Sequence, residues 1–209
     1  MKNYFKKKEK KIKNKKYNIK KNKNLIINLL FKSKNMYGDE VLYTKKDIIP
    51  FIFGIRFNYT IINLKNVTFY LKRIFNLLQK ILKKKKNILI IGDSDDINFL
   101  LNKNYIKNNK NILYFNKKWI NGLITNDIIN NINNKISFLL KKNKIQLIIV
   151  IKSSINDNFL KKELLYFKIP IISFIKTSQN YENINYPVIS NLKNIKSIYI
   201  LMFLLRKFF

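Results

Sequence analysis

From residue 67 onward, apolar and polar positions follow two periods that take turns along the chain. Val67 to Leu82 repeats apolar residues at Leu71, Ile74, Phe75, Leu78, Ile81 and Leu82. This is the i, i+3, i+4, i+7 stripe of an amphipathic helix, with Lys72, Arg73 and Lys80 falling off it. Ile88 to Ile91 is an unbroken apolar run and predicts a strand, followed by a helix from about Asp95 to Lys107. Ile112 to Phe115 predicts the next strand, followed by a loop around Trp119 and a helix from about Asp127 to Lys141. Ile145 to Ile151 is nearly all branched and apolar, the pattern of a strand buried on both faces. A helix over Asn156 to Phe167 leads into a strand at Pro170 to Ile175. Val188 and Ile189 then precede a last helix, Leu192 to Arg206, with Ile195, Ile198, Met202 and Leu205 on one face.

The earlier part is less regular. Tyr59 to Leu64 is a short β-rich run and reads as the first strand of the series. Tyr37 to Gly54 holds two of the glycines and Pro50, and reads as an irregular, wrapped segment. Leu25 to Phe31 is one helical segment, and Met1 to Asn24 is about half Lys without apolar periodicity. Strands alternating with helices predict an α/β fold, a doubly wound parallel sheet of five strands with helices on both faces and right-handed crossovers. No internal repeat and no Pro/Gly linker divides the chain. The expected organisation is one α/β domain over 25–209 behind a basic N-terminal arm over 1–24.

Charge changes the picture most. Lys plus Arg number 43 against 11 Asp plus Glu, a net of +32 in 209 residues. Self-repulsion of that size works against a compact free domain, and a polyanion relieves it by neutralising Lys and shedding counterions. Nucleic acid is the first candidate and an anionic membrane surface the second. Part of the charge has another cause: Lys, Asn, Ile, Phe and Tyr dominate while Ala is absent, the signature of A/T-rich codons in a reduced organelle. The chain has no Cys and no His, which removes disulfides, thiolate metal sites and the commonest general base. No apolar run reaches the roughly 18 residues of a membrane span, and the Lys/Asn-rich start lacks the core of a secretory signal. The expectation is a protein made where it works.

Two loops beyond strand ends are candidate sites, since doubly wound sheets bind ligands there. Gly92-Asp93-Ser94-Asp95-Asp96 clusters carboxylates that fit a magnesium ion in a nucleotide-using enzyme, or, more simply, cap a helix N-terminus. Neither GxGxxG nor GxxxxGK[ST] occurs, so the capping role is preferred. The second loop, Tyr114 to Asn126, holds the only Trp, Trp119, and one of four glycines, Gly122. Lys117 and Lys118 beside an aromatic suit an RNA contact, whereas Trp119 itself reads as a core plug and Gly122 as a turn residue. In the arm, Lys6, Lys7, Lys8, Lys10 and Lys11 are candidate phosphate contacts, and Lys45, Lys46 and Arg56 join them.

Three blocks resemble a known family. Asn116, Trp119, Gly122, Thr125 and Asn126 match a signature running roughly V-N-x-R-W-L-G-G-x-L-T-N, with Lys118 for Arg, Ile120 for Leu and Asn121 for the first Gly. Tyr37, Gly38, Pro50, Phe51, Ile52, Phe53, Gly54 and Arg56, then Thr60 to Leu64, match F-G-H-Q-T-R-x-W-N-P-K-M-x-P-F-I-F-G-x-R and H-I-I-N-L. Lys162, Glu163, Ile169, Pro170 and Thr177 match K-E-A-x-x-L-G-I-P-x-x-x-x-x-D-T-N. The chain is identified on these blocks as similar to the bacterial-type small-subunit ribosomal protein S-two family. The departures are Asp39 to Asp47 in place of H-Q-T-R-x-W-N-P-K, and Lys176-Thr177-Ser178 in place of D-T-N. Asn126 to Ile145 also leaves no room for the coiled-coil hairpin that relatives insert there.

The resemblance implies a flavodoxin-like core and a structural, non-catalytic role in the small ribosomal subunit. The implied partners are small-subunit rRNA and neighbouring ribosomal proteins, with no cofactor, metal, membrane or small-molecule substrate. The implied location is an organellar ribosome, plastid (apicoplast-like) in preference to mitochondrion. The rival readings are the nucleotide and magnesium enzyme centred on Asp93, Asp95 and Asp96, and a general basic DNA- or membrane-associated protein.

Overall fold

The computed structural model describes residues 23–92, 111–115, 145–151, 162–165 and 168–206. The chain enters through α1 (Lys23–Lys32), then β1 (Tyr37–Glu40), two 3-10 turns (Val41–Tyr43 and Lys46–Phe51), β2 (Ile52–Arg56) and β3 (Tyr59–Ile62). There follow α2 (Leu64–Lys83), β4 (Asn87–Ile91), β5 (Ile112–Phe115), β6 (Ile145–Val150), β7 (Ile171–Ile175), β8 (Tyr186–Ile189) and α3 (Ile195–Arg206).

β4 to β8 form a five-stranded sheet in the order β5-β4-β6-β7-β8, parallel at every pairing. Counted within the sheet this is 2-1-3-4-5, the flavodoxin-like doubly wound order. Because successive side chains leave opposite faces, β4 to β7 each feed two cores, whereas edge strand β8 feeds one. Ile88, Ile90, Leu147, Ile149, Ile172 and Val188 join the stripe of α2 and the apolar faces of α1 and α3. Leu89, Ile91, Ile148, Val150 and Ile171 form the other core, where Leu164 of the helical residues 162–165 packs. Each fully buried Leu or Ile contributes about 1.5–3 kcal/mol gross, so strands buried on both faces dominate stability.

The helix over Val67 to Leu82 is present and slightly longer. Asn63 caps it by accepting from the Lys65 N–H at 3.1 Å, and Lys80 and Lys83 suit the dipole of its last turn. It closes in a Schellman motif: Lys86 N–H donates to Ile81 O at 3.2 Å and Lys85 N–H to Leu82 O at 3.0 Å. Lys85 takes the left-handed position at φ 51°, where glycine is usual. α1 ends the same way, with Lys34 at φ 59°. The last helix starts at Ile195 rather than Leu192 because Asn194 caps it, accepting from Lys196 N–H at 3.0 Å.

Two sequence readings need correction. Tyr59 to Leu64 does not belong to the parallel sheet. Its strand, β3, lies between β1 and β2 in a separate antiparallel sheet of order β1-β3-β2, and β8 takes the fifth place in the large sheet. Tyr37 to Gly54, read as irregular, carries all of β1 and opens β2. The predicted helices at 95–107 and 127–141 lie outside the described residues.

Candidate nucleic-acid interface

The carboxyl ends of β7 and β8 lie on the same edge of the sheet as the β4/β6 switch point, where doubly wound folds of this order bind ligands, and the chain covers the β7 and β8 ends itself. The small antiparallel sheet sits on Thr177 and Ser178, just after β7, and on Lys193, just after β8. Asp39 N–H donates to Thr177 Oγ1 at 2.7 Å, and Thr60 Oγ1 donates to Asp39 O at 2.9 Å. Lys45 N–H donates to Thr177 O at 3.1 Å. Downstream of α1, Asn191 N–H donates to Asn35 Oδ1 at 2.8 Å and Ser197 Oγ to Ser33 O at 2.9 Å. All of these bonds except that from Thr60 to Asp39 span well over a hundred residues of sequence, and they fasten the N-terminal segment across the end of the sheet.

Gly38 is the tightest point of this seam. A Cβ built there would collide with Thr60 Oγ1 and meet Thr177 Cγ2 and Oγ1 at 2.8 and 2.9 Å, closer than real Cβ contacts come. Glycine is required by the approach of two threonines, and the backbone at Gly38 is not in the left-handed region. Gly54, in the same sequence block, has open space where a Cβ would go.

Asp39 anchors the charged part of the seam. Its carboxylate accepts from Ser178 Oγ at 2.8 Å and pairs with Lys193 Nζ at 2.7 Å, the aspartate side chain being 7% exposed and the lysine 68%. Burial alone would raise the Asp39 carboxyl. The hydrogen bonds from Lys193 and Ser178 and the charges of Lys193 and Lys176 outweigh it and hold the group below the ordinary carboxylate value. The same hydrogen bond and charge push Lys193 up.

The structure therefore brings Tyr37, Gly38 and Thr177 together as parts of one joint, whereas Pro50 and Pro170 serve only as backbone acceptors, Pro170 at the opposite, amino end of β7. Pro50 O takes the Asn66 side-chain amide at 3.2 Å, and Pro170 O takes the Ile148 N–H at 3.1 Å. Phe53 is exposed on β2, and the candidate phosphate contacts Lys45, Lys46 and Arg56 are all exposed. Lys6, Lys7, Lys8, Lys10 and Lys11, Asp93, Asp95 and Asp96, and the loop residues Asn116, Lys117, Lys118, Trp119, Gly122, Thr125 and Asn126 lie outside the described residues. Asp39, Thr60, Ser178 and Lys193 were missed by sequence reasoning. A signal for two of them was available: Asp39 and Ser178 are both departures from the family pattern, and they touch each other. Among the described residues no group of acidic side chains is arranged to hold a metal ion, and no helix is long and apolar enough to cross a membrane.

The structure is thus a doubly wound α/β domain whose own N-terminal sheet covers the carboxyl end of β7, with exposed basic side chains on its surface. The family model of ribosomal protein S2 matches residues 30–147, more than half of the chain, and the chain belongs to that family. It is 26% identical over 132 residues, 63% of its own length and 42% of the relative's, to the small ribosomal subunit protein uS2 of Ehrlichia chaffeensis. It is 30% identical over 105 residues, 50% of its own length and 43% of the relative's, to the small ribosomal subunit protein uS2m of Marchantia polymorpha. The matched stretch thus spans less than half the length of these curated relatives.

Proposed function

We propose that the chain is a structural, non-catalytic component of the small ribosomal subunit that binds rRNA through exposed basic side chains. The observation that carries this reading is family membership in a chain of net charge +32. On this reading Lys45, Lys46, Arg56, Lys117, Lys118 and the arm over 1–24 reach phosphates, ahead of the α/β domain over 25–209. Neighbouring small-subunit proteins are the further partners. The place of work is an organellar ribosome, supported by the A/T-codon composition, and a plastid one is favoured by the bacterial-type form of the sequence blocks.

The test is a salt titration of binding to small-subunit rRNA. If about 6 to 10 phosphates are neutralised, affinity falls roughly 10³- to 10⁵-fold between 50 and 200 mM salt, and deleting residues 1–24 flattens the slope. A salt-independent affinity refutes phosphate contact as the mechanism, and an unchanged slope after deletion shows that the arm makes none.

A further inference from the structure

The β2–β3 connection is a two-residue hairpin turn, Phe57-Asn58, flanked by the pair Arg56 and Tyr59. Both turn residues have positive φ, 47° and 61°, as a type I′ turn requires. Asn suits this conformation, whereas a Phe, with its bulky side chain, is strained in it. The turn chemistry therefore gives no reason for Phe57. Neither does packing: the ring is 83% exposed, at the tip of a hairpin whose outer strand also exposes Phe53 and Ile55.

Arg56 supplies a second, independent observation. Its guanidinium lies over the Phe57 ring, 5.4 Å from the centroid. The chain has only three arginines among its 43 cationic residues, and Arg73 stacks in the same way over the exposed Phe69 ring, at 4.5 Å. A planar guanidinium held on a ring combines a forked phosphate donor with an aromatic face, which a lysine does not do equally well. An apolar protein partner covering Phe57 would have to strip water from that guanidinium. A polyanion with flat bases uses both groups.

We propose that Arg56-Phe57-Asn58 is a stacking platform for an unpaired nucleobase of RNA. The free face of Phe57 takes the base, and Arg56 takes an adjoining phosphate. This rests on the rRNA-binding reading above and adds to it a preference for single-stranded or looped RNA over uniform duplex.

The test uses the full chain and two RNAs of equal length and charge, one a stem with an unpaired loop and the other a continuous duplex. Phe57→Asn is the informative variant, because Asn relieves the strain of the turn and leaves the fold intact. The expected result is a loss of about 5- to 150-fold in affinity for the looped RNA, with duplex affinity unchanged and looped-RNA affinity retained by Phe57→Trp. Equal binding of looped RNA by the parent and Phe57→Asn overturns the platform while leaving general rRNA binding standing. Failure of the parent to bind either RNA overturns both. Undiminished RNA binding by Phe57→Asn together with loss of attachment to small subunits assigns the tip to a protein neighbour and also overturns the proposal.

Discussion

Gly38 and Gly54 sit in one sequence block, and the structure predicts opposite outcomes for the same change at each. In Gly38→Ala the new methyl is driven into Thr60 Oγ1 and against Thr177. Both threonines are buried, and both already serve the Asp39 backbone, so neither moves without loosening a hydrogen bond. Overpacking costs about 1–3 kcal/mol and a weakened buried hydrogen bond about another 1, a total of roughly 2–4 kcal/mol. In a chain of this size each kcal/mol moves the melting midpoint by about 2–4 °C, so the drop is on the order of 10 °C. Gly54→Ala enters open space without a left-handed φ, and is neutral or stabilising by up to about 1 kcal/mol through reduced unfolded-state entropy. Thermal melts of both variants beside the parent, with amide exchange read at Asp39, test this. Equal destabilisation by the two changes, or a Gly38→Ala protein melting with the parent, would refute the claim that the seam is closed by threonine contact at that point.

Two further predictions follow from the same region and from the helix ends. Asp39 has a folded-state pKa below its unfolded value of 3.8, so its contribution is present above pH 4 and fades as pH falls through the folded value. Asp39→Asn should therefore melt lower than the parent at pH 7, by about 1–2 kcal/mol after allowing for the exposure of Lys193, and the gap should close in acid. A gap that persists unchanged at pH 3 would show that the carboxylate charge is not its source. Lys85→Gly removes the left-handed strain at the end of α2 and should stabilise by about 1 kcal/mol, read by denaturant midpoint; a lower midpoint would contradict the assigned Schellman geometry.

The large sheet and α2 were legible because their signals are local. Ile88–Ile91 is a continuous apolar run, Ile145–Ile151 and Pro170–Ile175 are each broken by a single polar residue, and such runs mean strands buried on both faces. β1 was not legible: Tyr-Gly-Asp-Glu is short and polar, and it becomes a strand only through pairing with β3 and bonding to Thr177. β2 was hidden by Pro50 just upstream, by Gly54 inside it and by the exposure of Phe53 and Ile55, which gives no one-sided burial pattern. The seam between Asp39 and Thr177 joins positions 138 residues apart, and no periodicity encodes such a contact. The helix ends were obscured by composition, since Lys34 and Lys85 occupy positions where a sequence less depleted in glycine would carry Gly. The Trp119 loop, the most diagnostic stretch of the sequence, lies outside the described residues.

Association with the small subunit is tested most directly by sedimentation. The tagged full chain, expressed where it naturally works, should travel through a gradient with small-subunit rRNA at low salt and return to the top as salt is raised. A chain that stays at the top at low salt, or travels with the large subunit, would contradict a small-subunit rRNA-binding role.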